Sequence, residues 1–432
     1  MSLPRSSSPG PLLVLSLLLL TLAGGNGQQP STPIVTPITK DSSTFLFTIP
    51  VKNYAPLVLD LAGPLVWSTC PPTKVPGHAT IRCNTSVCKV ANRNHPAGCP
   101  YAGGGQPGSA DPNCTCTAYP YNPASGQCGN GDVSVFGTMA KATDGKMATY
   151  PVTVPTYGVC VNDALLASLP SGAVGVAGLS RQPLSLPSQV ASKLKVAREF
   201  ALCLPSDGAT GAAIFGGGPF QLQSARPEDL AAALRQNPLP LLKNPKNSAY
   251  YFRVHGIAVN GVQVALPPGA LDLDARSGKG GVAFSSVTPY TTLSDDIFVR
   301  VINAFSKATG DAARRKPIPP FELCYEASAF PSTRVGPGVA NIDLMLDGGR
   351  NWTLPGASSL VQLDQVNLCF AFHRMNSDSH AIQDSSPAII FGAHQMADNL
   401  VLFNPEKSTF GFSELLLGRS TNCGNFDFTE RS

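Results

Sequence analysis

The sequence predicts a mainly β protein built in two lobes with a few short helices, and three observations lead there. The chain has 432 residues, more than one hydrophobic core ordinarily organises, so two lobes are expected. Its 41 glycines and 40 prolines are spread between short apolar runs, a pattern of many strands and turns rather than long helices. An apolar run, a glycine and a short helix occur in both halves, as a duplicated β lobe would give.

The elements follow in chain order. Arg5 precedes the apolar run Leu12 to Leu20, and the small residues Ala23, Gly24 and Gly25 follow. The run is too short to span a bilayer and reads as a secretory signal peptide over about 1–25. An N-terminal β lobe is expected over 28–220, with strands at 45–51, 57–59, 133–136 and 150–154. Residues 70–130 hold seven of the cysteines amid Pro, Gly and Asn, and read as a stapled, loop-rich insertion. The glycine-punctuated run 172–179 suits a buried strand meeting another backbone closely. Ser185-Leu186-Pro187 then starts a short helix, with proline in its first turn. A connector is expected over 221–249, with one helical segment near 229–234, and a C-terminal β lobe over 250–432. Within that lobe, 250–261 alternates as strands do. Ile297, Val301, Ile302 and Phe305 recur at helical spacing over 295–306. Ser294-Asp295-Asp296 reads as the cap of that helix.

Composition excludes several classes. Hydrophobic content of 43% with only 13% charge describes a globular chain. The net charge of +4 falls to about +3 once Arg5 is removed, which is no footprint for nucleic acid. The twelve cysteines are Cys70, Cys83, Cys88, Cys99, Cys114, Cys116, Cys128, Cys160, Cys203, Cys324, Cys369 and Cys423. An even count in an exported chain reads as disulfides. Zinc is the alternative, but Cys114-Thr115-Cys116 has the wrong spacing and no histidine cluster accompanies it. No metal site and no cofactor are expected. If the chain divides near 216–250, nine cysteines precede the division and three follow. Both numbers are odd, so at least one bridge must join the halves, and Cys203–Cys423 is the expected one. Sequons at Asn84, Asn113 and Asn351 are candidate glycan sites.

The segment Gly175 to Gln189, with its Gly-Val-Ala-Gly-Leu and Pro-Leu-Ser-Leu-Pro-Ser-Gln pieces, resembles the pepsin-like aspartic proteinase superfamily in its plant form. Phe321-Glu322-Leu323-Cys324-Tyr325 and the stretch from Ile390-Phe391-Gly392 to Gly411-Phe412 fit the same resemblance. Asp60 to Cys70, Cys116 to Asn122, Phe215 to Pro219 and Gly281 to Ser286 are similar to plant xylanase inhibitors of the TAXI type. Relatives of that family include extracellular dermal glycoproteins and basic 7S globulins. The resemblance implies two β-rich lobes around a cleft, six disulfides and no proteolytic activity. Cys324–Cys369 is the second pairing expected.

The residues carry that implication. An aspartic proteinase needs two carboxylates about 3 Å apart that share one proton. Each lies in Asp-Thr/Ser-Gly. Asp60 is followed by Leu61-Ala62, so the hydroxyl and the glycine are missing. Gly280-Gly281-Val282-Ala283-Phe284-Ser285 places Ser285 at the second acid. A serine hydroxyl does not titrate near neutral pH, and loss of one acid–base partner alone removes roughly 10²–10⁴-fold. Asp60 and Ser285 are therefore read as vestiges with no catalytic residue left. The loop Asn122 to Cys128 also differs from a catalytic flap. The six histidines show no metal motif and no triad, and the glycine runs lack a following Lys-Ser/Thr.

The function expected is a secreted inhibitor of microbial endo-xylanases, acting in the apoplast or cell wall as a monomer. The alternative is a wall-associated or storage-like binding protein with another glycanase, a peptide or a carbohydrate as partner. TAXI-type inhibitors carry a histidine on the loop before the final cysteine. Here that loop reads Leu415-Leu416-Leu417-Gly418-Arg419-Ser420-Thr421-Asn422-Cys423, with no histidine. Leu416, Leu417 and Arg419 are the candidate inhibitory residues, Arg419 offering its charge to the paired carboxylates of a xylanase cleft.

Overall fold

The computed structural model describes residues 31–70, 79–96, 99–101, 105–206, 208–224, 227–310, 314–375, 382 and 386–429. The signal peptide expected over 1–25, His78 and His380 lie outside them. Strands dominate, and one hydrogen-bonded network of 19 strands runs through both halves.

The duplication read from the sequence is visible in the strand pairing. Ala55–Asp60 runs parallel to Gly175–Gly178, with Asp60 opposite Gly178. Val66–Thr69 lies antiparallel to Gly175–Gly178 and parallel to Ala148–Val161. The second half repeats the pattern. Val282–Phe284 runs parallel to Ile389–Phe391, while Thr291–Leu293 lies antiparallel to that strand and parallel to Phe372–Arg374. A helix follows each parallel pair, Leu186–Leu194 in one half and Ala393–Met396 in the other. Parallel strands need cover on both faces, which is why Val282, Ala283 and Phe284 are all buried.

Two further ladders join the halves. Phe200–Cys203 pairs with Gly211–Phe215 on one side and Leu400–Asn404 on the other. Within 221–249, Leu230–Gln236 is helical, and Leu239–Leu242 pairs with both Tyr251–Phe252 and Thr409–Phe412. The aromatic core sits over these joints. Phe284 has ring centroids 4.4 Å from Phe252, 5.3 Å from Phe403 and 5.3 Å from Phe410, and Trp352 stacks on Phe412 at 4.2 Å. Burying one such side chain contributes about 1.5–3 kcal/mol.

Six disulfides take up all twelve cysteines. Cys83–Cys114, Cys88–Cys116 and Cys99–Cys128 staple the insertion, and Cys70–Cys160 ties its start to the long strand Ala148–Val161. Cys324–Cys369 lies across paired strands, and Cys203–Cys423 joins the first half to the end of the second.

The helix Asp295–Thr309 buries Ile297, Phe298, Val301 and Phe305. Its start corrects the capping expectation, because the Ser294 side chain makes no cap hydrogen bond. Asp295 instead pairs with Arg374, and Asp296 pairs with Arg300 one turn on. Both acids still sit favourably at the positive end of the helix dipole. Among the described residues no helix is long and apolar enough to cross a membrane.

Candidate functional site

Asp60 ends a strand whose Leu57, Val58 and Leu59 are all fully buried, so the apolar run delivers the acid to the joint between the halves. The turn after it is tight. A Cβ on Gly63 would meet Gly178 Cα at 2.8 Å and Asp60 Oδ2 at 2.9 Å, so only glycine fits there. Asp60 is 6% exposed. Its Oδ1 accepts a hydrogen bond from the Ala62 N–H at 2.9 Å. Burial pushes its carboxyl up from the ordinary 3.8 to about 7, against the opposing pull of the Ala62 and Gly63 N–H groups.

The other side of the joint is built from serine. Ser286 Oγ donates to Leu59 O at 2.7 Å and accepts from the Leu61 N–H at 3.1 Å. One hydroxyl from the second half thus bridges the two peptide groups that flank Asp60. The bridge is one-sided, since Leu61 has no hydroxyl to return it. Ser285 is 2% exposed and its Oγ accepts from Thr288 Oγ1 at 2.9 Å and from the Thr288 and Val287 N–H groups at 3.1 and 3.3 Å. Its oxygen is occupied inside its own turn. Asp295 is committed to Arg374 and cannot serve as the missing acid.

A cavity of about 40 Å³ opens beside Asp60, lined by Trp67, Tyr119, Tyr121, Pro120 and Pro123. Asp60 is the only carboxylate among its described lining residues. That volume holds a few waters, not a substrate chain. The loop over it is pinned. Asn122 is fully buried, donates to Leu165 O and Ala167 O at 2.8 Å each, and accepts from the Ala124 and Ser125 N–H groups. Cys99–Cys128 closes the other end. The arrangement locks a joint around Asp60, with no second carboxylate among the described residues that line the cavity.

The candidate inhibitory residues separate from one another. Leu416 is fully buried, packed with the cluster that contains Cys203, Leu400 and Cys423, so it is corrected from surface contact to core anchor. Leu417 is half-buried and Arg419 exposed, with the Arg419 guanidinium paired to Glu228. Asp398 fixes both ends of this turn, its main-chain oxygen accepting from the Leu416 N–H at 2.9 Å and its Oδ1 from the Cys423 N–H at 3.0 Å. Asn84, Asn113 and Asn351 are all exposed. Among the described residues no group of three His, Cys, Asp or Glu is arranged to hold a metal. Sequence reasoning missed Ser286, Asp398 and Glu228. Only Ser286 had a signal, its position directly after the serine that replaces the second acid.

Comparison with known proteins identifies the family and the fold. The family model described as "Xylanase inhibitor N-terminal" matches residues 48–217, and that described as "Xylanase inhibitor C-terminal" matches 249–414. The chain is 44% identical to Chitinase CLP of Oryza sativa subsp. japonica over 92% of each chain. It is 31% identical to Probable aspartic proteinase GIP2 of Nicotiana benthamiana over 97% of each. Among solved structures, edgp superposes with a TM-score of 0.80 at 32% identity, covering 93% of this chain and 99% of that one. Basic 7S globulin from soybean superposes with a TM-score of 0.73 at 25% identity, covering 93% and 100%.

Proposed function

The chain belongs to the xylanase-inhibitor family of pepsin-like proteins, and from that premise we propose that it is a secreted, non-proteolytic inhibitor of microbial endo-xylanases. The observation that carries the reading is the serine joint. Ser285 stands at the second acid position and Ser286 bridges the peptides around Asp60, so the cleft holds one acid where peptide hydrolysis needs two. A body stapled by six disulfides can bind a partner with little ordering cost. We place the contact on the turn Leu416–Arg419, where Leu417 and Arg419 are within a target's reach. Export to the apoplast or cell wall, glycans on Asn84, Asn113 and Asn351, and a monomeric state belong to the same proposal.

Titration of the purified protein against a panel of fungal and bacterial endo-xylanases is expected to slow at least one of them. Arg419→Ala is expected to weaken that inhibition about tenfold or more, as loss of a charge-assisted contact does. No effect on any xylanase at micromolar protein contradicts the inhibitor reading, and unchanged potency in Arg419→Ala contradicts the contact.

A second reading has its own support. Likeness to the basic 7S globulin and to gamma conglutins favours a wall-associated or storage-like binding protein with another glycanase, a peptide or a carbohydrate as partner. The rice relative is named a chitinase, so chitin and chitinases belong beside xylanases in the panel. Capture of a wall component, with every xylanase unaffected, would favour this reading.

A further inference from the structure

A cavity of about 500 Å³ opens where Leu222, Ser224, Glu228 and Leu230 meet the turn Leu416–Arg419. Its size falls in the range of sites that take small organic ligands. The buried side chains of Leu222 and Leu230 lie along it, and Ser224 and Ser420 add hydroxyls. Two guanidiniums face it, those of Arg334 and Arg419. Arg334 donates to Gly418 O at 3.4 Å and has no ion pair among the described residues. Arg419 is paired with Glu228, and the two side chains are 47% and 53% exposed. Of the two cations, only Arg419 is paired with a carboxylate among the described residues. A pair this exposed is held weakly and exchanges readily.

The walls are firm. Leu416 is buried, Asp398 holds the Leu416 and Cys423 N–H groups, and Cys203–Cys423 ties the end of the turn to the core. A site held this way needs little ordering to accept a ligand.

We propose that this cavity binds a uronate-bearing saccharide, with the sugar carboxylate displacing Glu228 from Arg419 and also engaging Arg334. Planar guanidiniums match carboxylates in two-point contacts. The Ser224 and Ser420 hydroxyls face sugar hydroxyls, and the C–H face of a pyranose ring lies on Leu222 and Leu230. The arginines line a hollow, so the ligand group enters the protein instead of being entered by it. The site requires no glycanase partner but shares Arg419 with the proposed xylanase contact, so Arg334→Ala and Glu228→Gln are the variants that separate the two.

Calorimetric titration of the whole protein with glucuronic acid, glucose, acetate and a short glutamate-containing peptide tests the assignment. Glucuronate is expected to bind at least about tenfold tighter than glucose or acetate, because neither offers both the charge and the ring. Glu228→Gln removes both a competitor and a repelling charge, and is expected to tighten glucuronate by about fivefold. Arg334→Ala and Arg419→Ala are each expected to weaken it by about tenfold or more, with unfolding midpoints unchanged because both side chains are exposed. Glucose or acetate binding as well as glucuronate would overturn the proposal. So would preference for the acidic peptide, or a Glu228→Gln variant that gains nothing.

Discussion

Replacing Asp60 by asparagine is expected to remove a loss of stability of about 4 kcal/mol that the native protein suffers as pH rises from 4 to 8. The sign follows from the direction of the shift. Asp60 titrates near 3.8 when unfolded and about 7 when folded, because burial disfavours its charge. The folded protein therefore holds a proton that the unfolded chain has released. That advantage is complete below about pH 4 and is lost as pH rises through 7. A dyad would spread the charge over two acids, but Ser285 takes no share. Asparagine keeps an oxygen for the Ala62 N–H and cannot ionise. Denaturant unfolding of both proteins across this range checks the claim, with the difference between their profiles isolating Asp60 from the other groups that titrate. Parallel profiles would show that the acid is solvated or paired, contrary to its 6% exposure.

The second large effect is expected from the double substitution Cys203→Ala and Cys423→Ala. This bridge spans 220 residues, and the loop-entropy estimate for a closure of that length is about 5 kcal/mol. Its position adds to the effect. Cys203 lies in the strand that joins the halves, and Cys423 packs against Leu400 and Leu416. The variant is expected to unfold at markedly lower denaturant and to lose the turn Leu416–Arg419 first, with only the packing of Leu416 and the Asp398 and Arg334 hydrogen bonds left to hold it. Contacts made by Arg419 then fail with it. A cost below about 1 kcal/mol would mean that packing, not the bridge, secures the C-terminal segment.

Much of the architecture was legible because its physics is local. The buried strand before Asp60, the glycine run at 172–179 and the helical spacing over 295–306 each announce themselves in a few residues. The long hairpin was not. Short stretches at 133–136 and 150–154 stand for Gly131–Thr143 and Ala148–Val161, whose outer lengths are polar or proline-bearing and are held by pairing with each other. Ser294 looked like a cap, yet Arg374 reaches Asp295 from a strand 79 residues away. The expectation that Ser285 stands in place of a second acid could be drawn from the local sequence. The bridging role of Ser286 could not, because its partners Leu59 and Leu61 lie 227 and 225 residues off. Burial of Leu416 was hidden for the same reason. Three leucines in a row near a terminus do not say which one faces the core. Glu228 beside Arg419 is a pairing across 191 residues, and nothing in the local sequence marks it.

On the proposed reading the cleft cuts no peptides and the fold acts by binding. Digestion of a denatured protein substrate between pH 3 and 6, with and without a transition-state peptide inhibitor of aspartic proteinases, tests it most directly. The predicted result is no cleavage above that of the Asp60→Asn variant and no effect of the inhibitor. Cleavage that the inhibitor blocks and that Asp60→Asn abolishes would contradict the claim.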